Sequence, residues 1–352
     1  GAAASGVRPR PPAAPRRRLL GAPAAPPPQL SFWTELDGAG VLALARNASV
    51  VAPLRAMGAS VRVAATDLSP DRASAVRALT AAGVPVALWL LMPRADGYWV
   101  NALNAGRVMS RYDAVRGWAE AEGLDYFAVG LDLEVDRAEL DALASRNWSS
   151  VVGFVVRDND YDALVRARAA LRGVVAAVRA GGRQCESYVV PLVADSRAAG
   201  GSSALELLTG IVDVPGVDVE VPMLYSSEWP AGRGALHAYA PDFLRGRGAG
   251  RGAVGLGSTG GAAGYDAGGV MAGFAQLRAD ALAAHAMGAS QVHVYSLEGA
   301  AERGWLAELA EIDWAAAPPA PPRAEVEAWE GARAALQAAL GLACRVRPQT
   351  CA

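Results

Sequence analysis

The sequence predicts a (β/α)8 barrel, in which eight parallel strands close into a cylinder and helices surround it. From residue 30 onward, short apolar segments rich in branched and aromatic residues alternate eight times with Ala-rich helical segments. The apolar segments are almost continuous, as expected for strands that are buried on both faces. Eight such units within residues 30–314 match the usual size of this barrel.

A doubly wound open sheet is the second architecture that fits alternating strands and helices. It favours a glycine-rich phosphate-binding turn directly after the first strand. Residues 37–40, Asp-Gly-Ala-Gly, are too short a match to that turn, so the sequence favours the barrel.

The predicted strands are short segments bounded by turn residues. They occupy residues 31–37, 60–66, 85–91, 126–133, 187–193, 218–225, 253–257 and 291–297. Helices are predicted where apolar residues recur three and four positions apart, at residues 71–82, 108–121, 158–180, 269–287 and 301–310. Ser69 and Pro70 precede the first of these helices and suit a cap and a first turn. The glycine-rich residues 255–269 predict a mobile lid or a tight turn.

Two segments lie outside the barrel pattern. Residues 1–29 are rich in Ala, Pro and Arg, a composition that builds no core, and we expect a disordered leader there. Residues 315–352 contain a Pro/Ala-rich linker followed by an amphipathic helix at 324–343, which we expect to pack on the outside of the barrel. The apolar face of that helix comprises Val326, Trp329, Ala332, Leu336, Ala339 and Leu340.

Composition excludes several classes of function. The net charge is −2 and every basic residue is Arg, so a nucleic-acid binder with a dominant basic face is not expected. The absence of Lys excludes a lysine Schiff base and a lysine-dependent phosphate loop. The three His residues are scattered and no paired Cys-x-x-Cys occurs, so we expect neither a metal site nor a redox cofactor. No run of eighteen apolar residues exists, and no membrane span is predicted.

Cysteine and glycosylation patterns bear on location. Cys344 and Cys351 are seven residues apart and are placed to close a small loop, which leaves Cys185 as an unpaired thiol. Asn47 and Asn147 each begin an Asn-x-Ser glycosylation triplet. Together these features predict a secreted or lumenal protein.

Acidic and aromatic residues follow the predicted strands, where the active site of a barrel lies. Carboxylates accept hydrogen bonds from hydroxyls, and aromatic faces stack on sugar rings, so this rim predicts a carbohydrate substrate. The loop 92–104 contains an aromatic pair that forms either a sugar platform or a buried anchor, whereas Trp33 inside the first strand is expected in the core. The predicted substrate-binding residues are Glu35, Trp89, Tyr98, Trp99, Asn101, Asp195, Met223, Glu228, Trp229 and Tyr295.

The strongest element of this rim is the pair Asp132 and Glu134 on the fourth strand. Residues two apart on a strand point to the same side, here into the mouth of the barrel. Their negative charges disfavour one another, so the pKa of one carboxyl is expected to rise. A raised pKa would make Glu134 a general acid that protonates a leaving oxygen near neutral pH.

Two segments resemble family 18 chitinases and chitinase-like proteins. Residues 131–134, Leu-Asp-Leu-Glu, resemble the second half of the family's D-x-x-D-x-D-x-E signature, and residues 222–226 resemble its M-x-Y-D strand. The resemblance implies that Glu134 donates the proton and that Asp132 orients the substrate's N-acetyl group, which attacks the anomeric carbon. It also implies that Tyr225 binds this group and that Met223 lines the floor.

The sequence departs from the family at four positions. Phe127 and Gly130 replace the earlier acids of the signature, Ser226 replaces the Asp after the Tyr, and Tyr295 with Glu298 stand where the last strand has a Trp. A barrel glycosidase that uses Glu134 with a second acid as nucleophile or base is therefore equally compatible. The second acid is expected among Glu298, Asp195, Glu228 and Glu35, in that order.

The sequence thus predicts a glycoside hydrolase with Glu134, Asp132, Tyr225 and Glu298 as catalytic residues. A non-catalytic carbohydrate-binding barrel is the first alternative. A metal-dependent lyase or phosphodiesterase with Asp and Glu ligands is the second.

Overall fold

The computed structural model describes residues 26–144, 160–229, 231–245, 251–261, 269–346, 348 and 351. Most of the predicted leader (residues 1–25), the triplet at Asn147 and most of the glycine-rich loop (residues 262–268) lie outside these ranges. The eight strands are β1 (Gln29–Thr34), β2 (Ser60–Ala64), β3 (Val86–Leu90), β4 (Ala128–Leu133), β5 (Gln184–Val189), β6 (Val219–Pro222), β7 (Ala253–Gly257) and β8 (Gln291–Tyr295).

The strands form one parallel sheet in the order β6-β5-β4-β3-β2-β1-β8-β7. β1 pairs with both β2 and β8, so the chain's first and last strands are neighbours. β6 and β7 meet through two isolated parallel bridges, Glu220 with Gly252 and Met223 with Gly255, which nearly close the cylinder. The (β/α)8 barrel is therefore confirmed, and the open doubly wound sheet is excluded.

The predicted strands are all present, but some of their ends differ. β1 ends at Thr34 because Asp37 caps the following helix, accepting a hydrogen bond from the Gly40 N–H at 2.8 Å. β5 begins three residues earlier than predicted and ends at Val189. Pro191 lacks the N–H that a strand needs, and a helix begins at Val193.

The described helices cover the outside of the sheet. The predicted helix at 301–310 is divided in two at Gly304, whose φ is +72°, a value that glycine adopts without steric cost. The helices are α1 (Gly38–Arg46), α2 (Ala48–Ala56), α3 (Pro70–Ala81), α4 (Ala105–Ala121), α5 (Arg137–Ala144), α6 (Tyr161–Ala180), α7 (Val193–Ala198), α8 (Ala204–Thr209), α9 (Gly232–Leu244), α10 (Phe274–Ala286), α11 (Leu297–Glu302), α12 (Trp305–Ala310) and α13 (Arg323–Val346).

The core has two layers, one between sheet and helices and one inside the barrel. The lower interior is polar: Arg62 forms two hydrogen bonds with Glu186, at 3.1 and 2.7 Å, and Tyr188 donates to the same carboxylate at 2.9 Å. Both charges are almost fully buried and paired, which is the condition under which buried charge is tolerated. This layer closes the bottom of the barrel and leaves its upper end for the site.

The C-terminal helix α13 packs on the outside of the barrel against α9, as predicted. Its contact is more polar than the predicted apolar face, of which only Leu340 is fully buried. Arg333 is buried as well and donates to Asp195 Oδ1 at 2.9 Å. Cys344 and Cys351 form a disulfide after this helix, and Cys185 is a buried free thiol. None of the helices in the described ranges is long and apolar enough to span a bilayer.

Candidate active site

A cavity of about 430 Å³ opens at the carboxyl ends of the strands, a volume typical of small-ligand sites. Among the residues that the structure describes, four acidic side chains line it, Glu35, Asp132, Glu134 and Glu228, and no basic side chain does. The remaining lining residues are aromatic, aliphatic or Thr: Trp33, Trp89, Trp99, Val135, Tyr188, Val190, Pro191, Leu192, Thr209, Ile211, Met223, Tyr225, Trp229 and Tyr295.

Asp132 and Glu134 stand at the end of β4 and point into this cavity. Asp132 is buried and accepts a hydrogen bond from Trp89 Nε1 at 3.2 Å, while its Oδ1 has no donor when both carboxyls are ionised. Burial and the charge of Glu134 raise the pKa of Asp132, so this carboxyl favours its protonated form. Burial also raises the pKa of Glu134, to about 7, while the hydrogen bond from Asp132 opposes that rise.

Glu35 follows β1 and is held by two phenols. Tyr98 donates to Glu35 Oε1, and Tyr295 donates to Glu35 Oε2 at 2.6 Å. Burial raises the pKa of Glu35, and the two phenol hydrogen bonds together with the charges of Arg94 and Arg137 oppose the rise. Glu35 is therefore the carboxyl of the cavity with the most groups that favour its ionised form.

Glu228 and Trp229 follow β6 and form another part of the rim. Burial and the nearby charge of Glu134 raise the pKa of Glu228 to about 8. Tyr225 and Tyr295 stack nearly parallel below them, with ring centroids 5.7 Å apart. The charges of the four cavity acids add to the burial that raises the pKa of Tyr225, so its phenol stays protonated as a donor.

Four residues predicted for the site, Asp195, Asn101, Glu298 and Tyr98, do not line the cavity. Asp195 is the third residue of α7 and binds Arg333, Tyr239 and Gln337 on the barrel exterior, so its prediction as a substrate ligand or second acid is wrong. Asn101 is fully buried, and its amide donates to Trp99 O and accepts from the Leu103 N–H. It fixes the loop and does not face the substrate space.

Glu298 lies behind Glu35 and does not line the cavity. It is the second residue of α11, only 2% exposed, and its Oε1 accepts the Glu35 N–H at 3.3 Å. Burial raises its pKa to about 7. Glu298 therefore supports Glu35, and its place at the head of the list of second acids is wrong.

Tyr98 and Trp99, the aromatic pair of the β3–α4 loop, have different roles: one is a cavity residue suited to a sugar platform and the other is a buried anchor. Trp99 lines the cavity, as a platform residue must, and Arg137 lies over its ring at 5.4 Å. Tyr98 is 3% exposed and reaches the site only through its hydroxyl on Glu35. Tyr98 is thus a buried anchor that positions a carboxylate.

Trp33 and Tyr188 were not predicted for the site, yet both line the cavity floor. Trp33 contacts Tyr188 edge to face, with ring centroids 5.1 Å apart. The position of Tyr188 also explains why residue 130 is a Gly, whereas the family signature has an acidic residue there. A Cβ at Gly130 would collide with the Tyr188 ring and hydroxyl, so the aromatic ring occupies the space of the missing acid.

No group of three or more His, Cys, Asp or Glu side chains within the described ranges is arranged to hold a metal ion. His293 is buried inside β8, where burial lowers its pKa well below the usual range, and its Nε2 lies 3.2 Å from Gln291 Oε1. His293 is a core residue of the barrel.

Comparisons with known proteins give matches among solved structures. No family model matches the sequence, and no curated protein matches it. Among solved structures, the PgaB (BpsB) glycoside hydrolase domain from Bordetella bronchiseptica is 10% identical with a TM-score of 0.47, covering 81% of this chain and 98% of its own. ScGas2 in complex with compound 9 is 14% identical with a TM-score of 0.44, covering 85% and 66%.

The carboxyl transferase domain of Rhizobium etli pyruvate carboxylase is 13% identical with a TM-score of 0.37, covering 89% of this chain and 48% of its own. A fold can carry many functions, so we infer the function from the side chains of the cavity.

Proposed function

We propose that this chain is a glycoside hydrolase with Glu134 as its general acid. One observation carries the proposal: Glu134, with a pKa of about 7, opens into an aromatic cavity that contains further carboxyls. A carboxyl that keeps its proton near neutral pH is suited to protonate the leaving oxygen of a glycosidic bond. The cavity volume is that of a small-ligand site, which is enough for a reacting sugar ring.

Glu35 is the anionic partner in this scheme. Two phenol hydrogen bonds and two nearby Arg charges oppose the rise that burial causes in the pKa of Glu35. Burial and a neighbouring carboxylate charge raise the pKa of Glu134, through Glu35, and the pKa of Glu228, through Glu134. Two carboxyls with different environments can divide the acid and base roles of glycosidic cleavage. Glu35 either activates water or stabilises the positive charge that develops on the sugar ring.

Aromatic rings account for sugar recognition. Trp99 and Trp229 line the rim, and the stacked pair Tyr225 and Tyr295 lies deeper. Their faces suit the apolar C–H surface of a pyranose, and the carboxyls accept its hydroxyl protons. A secreted or lumenal location belongs to the same proposal, and the Cys344–Cys351 disulfide supports it.

A panel of labelled oligosaccharides and aryl glycosides tests the proposal. We expect wild type to release reducing sugar from at least one member, and Glu134→Gln to be slower by about 100-fold or more. Glu302→Gln, which makes the same change at an exposed position of α11, is the matched control and keeps full activity.

Each of the other possible outcomes of the panel would identify an alternative mechanism or function. Hydrolysis confined to N-acetyl glycosides, lost on Tyr225→Phe or Asp132→Asn, would identify the substrate-assisted route. Binding without turnover would identify a non-catalytic carbohydrate-binding barrel. Activity that EDTA abolishes and Mg²⁺ or Ca²⁺ restores would identify the metal-dependent lyase or phosphodiesterase.

A further inference from the structure

One sector of the cavity is aliphatic, in contrast to its acidic and aromatic remainder. Val190, Pro191 and Leu192 come from the link between β5 and α7, and Thr209 and Ile211 come from the end of α8 and the link to β6. We call these five residues the aliphatic wall. Two different parts of the chain thus place mostly apolar side chains on one side of the site.

The one side-chain hydroxyl of the aliphatic wall and three of its backbone carbonyls are already engaged within the protein. The Thr209 hydroxyl donates to Leu205 O at 2.8 Å and accepts the Ile211 N–H at 3.3 Å. The carbonyls of Val190, Pro191 and Leu192 accept N–H groups of the first turn of α7, at 3.3, 3.1 and 3.0 Å. A ligand that lies on the wall therefore meets apolar surface and side chains without a hydrogen bond to offer.

The position of the wall relates it to the leaving group. β5 lies between β4, which carries Glu134, and β6, which precedes Glu228. Glu35 and its partner Tyr295 lie away from it, on β1 and β8. Because the general acid must reach the oxygen of the leaving group, that group lies on the Glu134 side, against the wall.

A second sugar ring would be disfavoured in this position. Its hydroxyls would lose water and find no partner on the wall, a cost that an alkyl or aryl group does not have. An apolar group instead gains about threefold to fourfold in affinity for each methylene that it buries.

We propose that the aliphatic wall is a leaving-group subsite for an apolar aglycone, so that the substrate is the glycoside of an apolar alcohol or phenol. This inference rests on the proposed function. In the reaction, the glycosidic C–O bond breaks and Glu134 gives its proton to the departing oxygen. Water adds to the anomeric carbon and releases one proton to the carboxylates of the site, so that Glu134 regains the proton it gave. The products are the free sugar and the apolar alcohol or phenol, and no oxidant or reductant is consumed.

Binding to the Glu134→Gln protein tests the subsite without consuming the ligand. The probes are the methyl, hexyl and phenyl glycosides of glucose, galactose and N-acetylglucosamine in both anomeric forms, with the affinity measured by calorimetry. We expect one sugar series in which the hexyl or phenyl glycoside binds at least about 30-fold tighter than the methyl glycoside. The hexyl and phenyl probes distinguish an alkyl from an aryl aglycone.

Leu192→Asn in the same background lowers that affinity ratio about tenfold, because it places an amide on the wall. Leu208→Asn is the matched control: Leu208 is 54% exposed on α8, does not line the cavity, and its replacement leaves the ratio unchanged. Equal affinity for methyl and longer glycosides, or no affinity for any, would overturn the subsite.

The two proposals can fail separately. An affinity ratio that depends on Leu192, without hydrolysis of any glycoside by wild type, keeps the subsite and rejects the hydrolase. Rapid hydrolysis of oligosaccharides with no preference for an apolar aglycone keeps the hydrolase and rejects the subsite.

Discussion

Asp132 accepts a hydrogen bond from Trp89 Nε1 at 3.2 Å, and Glu134 follows two residues later, directly after the end of the same strand. Burial and the charge of Glu134 raise the pKa of Asp132, and burial raises the pKa of Glu134. Because both groups are removed from bulk water, their protonation responds strongly to neighbouring charges. The predictions below use those charges and the contacts that support the cavity.

The alkaline side of the pH profile is expected to follow Glu134. A general acid acts only while protonated, so kcat/KM falls as the pH rises through its pKa of about 7. Glu35→Gln removes a negative charge that raises this pKa, so the alkaline limb moves to lower pH. Arg137→Gln removes a positive charge that lowers it, so the limb moves to higher pH. The measurement is kcat/KM against pH for the three proteins.

The test compares the pH at which kcat/KM falls in each variant. The maximum value of kcat/KM is not part of the test. Glu35→Gln also slows the reaction, because Glu35 belongs to the site. Movement of both limbs in the same direction, or no movement of either, would show that a group other than Glu134 controls the profile.

Stability is expected to fall as the pH rises, because buried carboxyls hold their protons in the folded state. Glu298 has an ordinary pKa near 4.5 when unfolded and about 7 when folded, so the folded state binds the proton more tightly between these values. The contribution of Glu298 to the free energy of unfolding is therefore fully present below about pH 4.5, decreases through this interval and is level above it.

Glu298→Gln removes the part of this decrease that belongs to Glu298, on the order of 3 kcal/mol. The free energy of unfolding is measured by denaturant titration at about pH 5 and about pH 8. A smaller slope remains in the variant because Glu228 also has a raised pKa, about 8. An unchanged slope would mean that Glu298 is not held in its protonated form.

The contact between the C-terminal helix and the barrel is expected to affect stability but not catalysis. Arg333→Met leaves the fully buried carboxyl of Asp195 without its cation, at a cost of about 3 kcal/mol or more. Asp242→Asn removes the other, more exposed partner of Arg333 and costs less than about 1 kcal/mol. Both variants keep the wild-type kcat/KM, because neither residue lines the cavity. A large loss of kcat/KM in folded Arg333→Met would link this helix to the site.

The close approach of Gly130 and Tyr188 gives a test of the cavity floor. Gly130→Ala forces a Cβ against the Tyr188 ring, which is also held by its hydrogen bond to Glu186, and we expect a loss of about 1–3 kcal/mol. In a Tyr188→Leu background the same substitution costs less, because the ring is gone. Thermal unfolding of wild type, the two single variants and the double variant measures the coupling energy between the two positions. An equal loss of stability in both backgrounds would show that the Tyr188 ring does not contact residue 130.

Periodicity predicted the barrel and the β4 pair well. Strand alternation alone places Asp132 and Glu134 on one side, and parallel strands bring their carboxyl ends to one face. The sequence could not tell which residue after a strand turns inward and which begins a helix. Asp195 and Glu298 both follow strands closely, but each lies in the first turn of a helix and leaves the cavity.

The sequence also did not predict the uncharged residues that contribute to the site by lining the cavity. Trp33 lies in β1 and appears as core in any apolar pattern, although it reaches the cavity floor. The aliphatic wall comes from two loops whose composition carries no chemical signal. Only the folded arrangement shows that these side chains face Glu134 and Glu228 across one space.

The dependence of the rate on the leaving group tests the role of Glu134 most directly. A dinitrophenyl glycoside leaves without proton assistance, whereas an alkyl glycoside of the same sugar needs it. We predict that Glu134→Gln lowers kcat/KM for the alkyl glycoside by about 100- to 10,000-fold and changes the dinitrophenyl substrate far less. Equal losses on both substrates, or no loss on either, would contradict the assignment of Glu134 as the general acid.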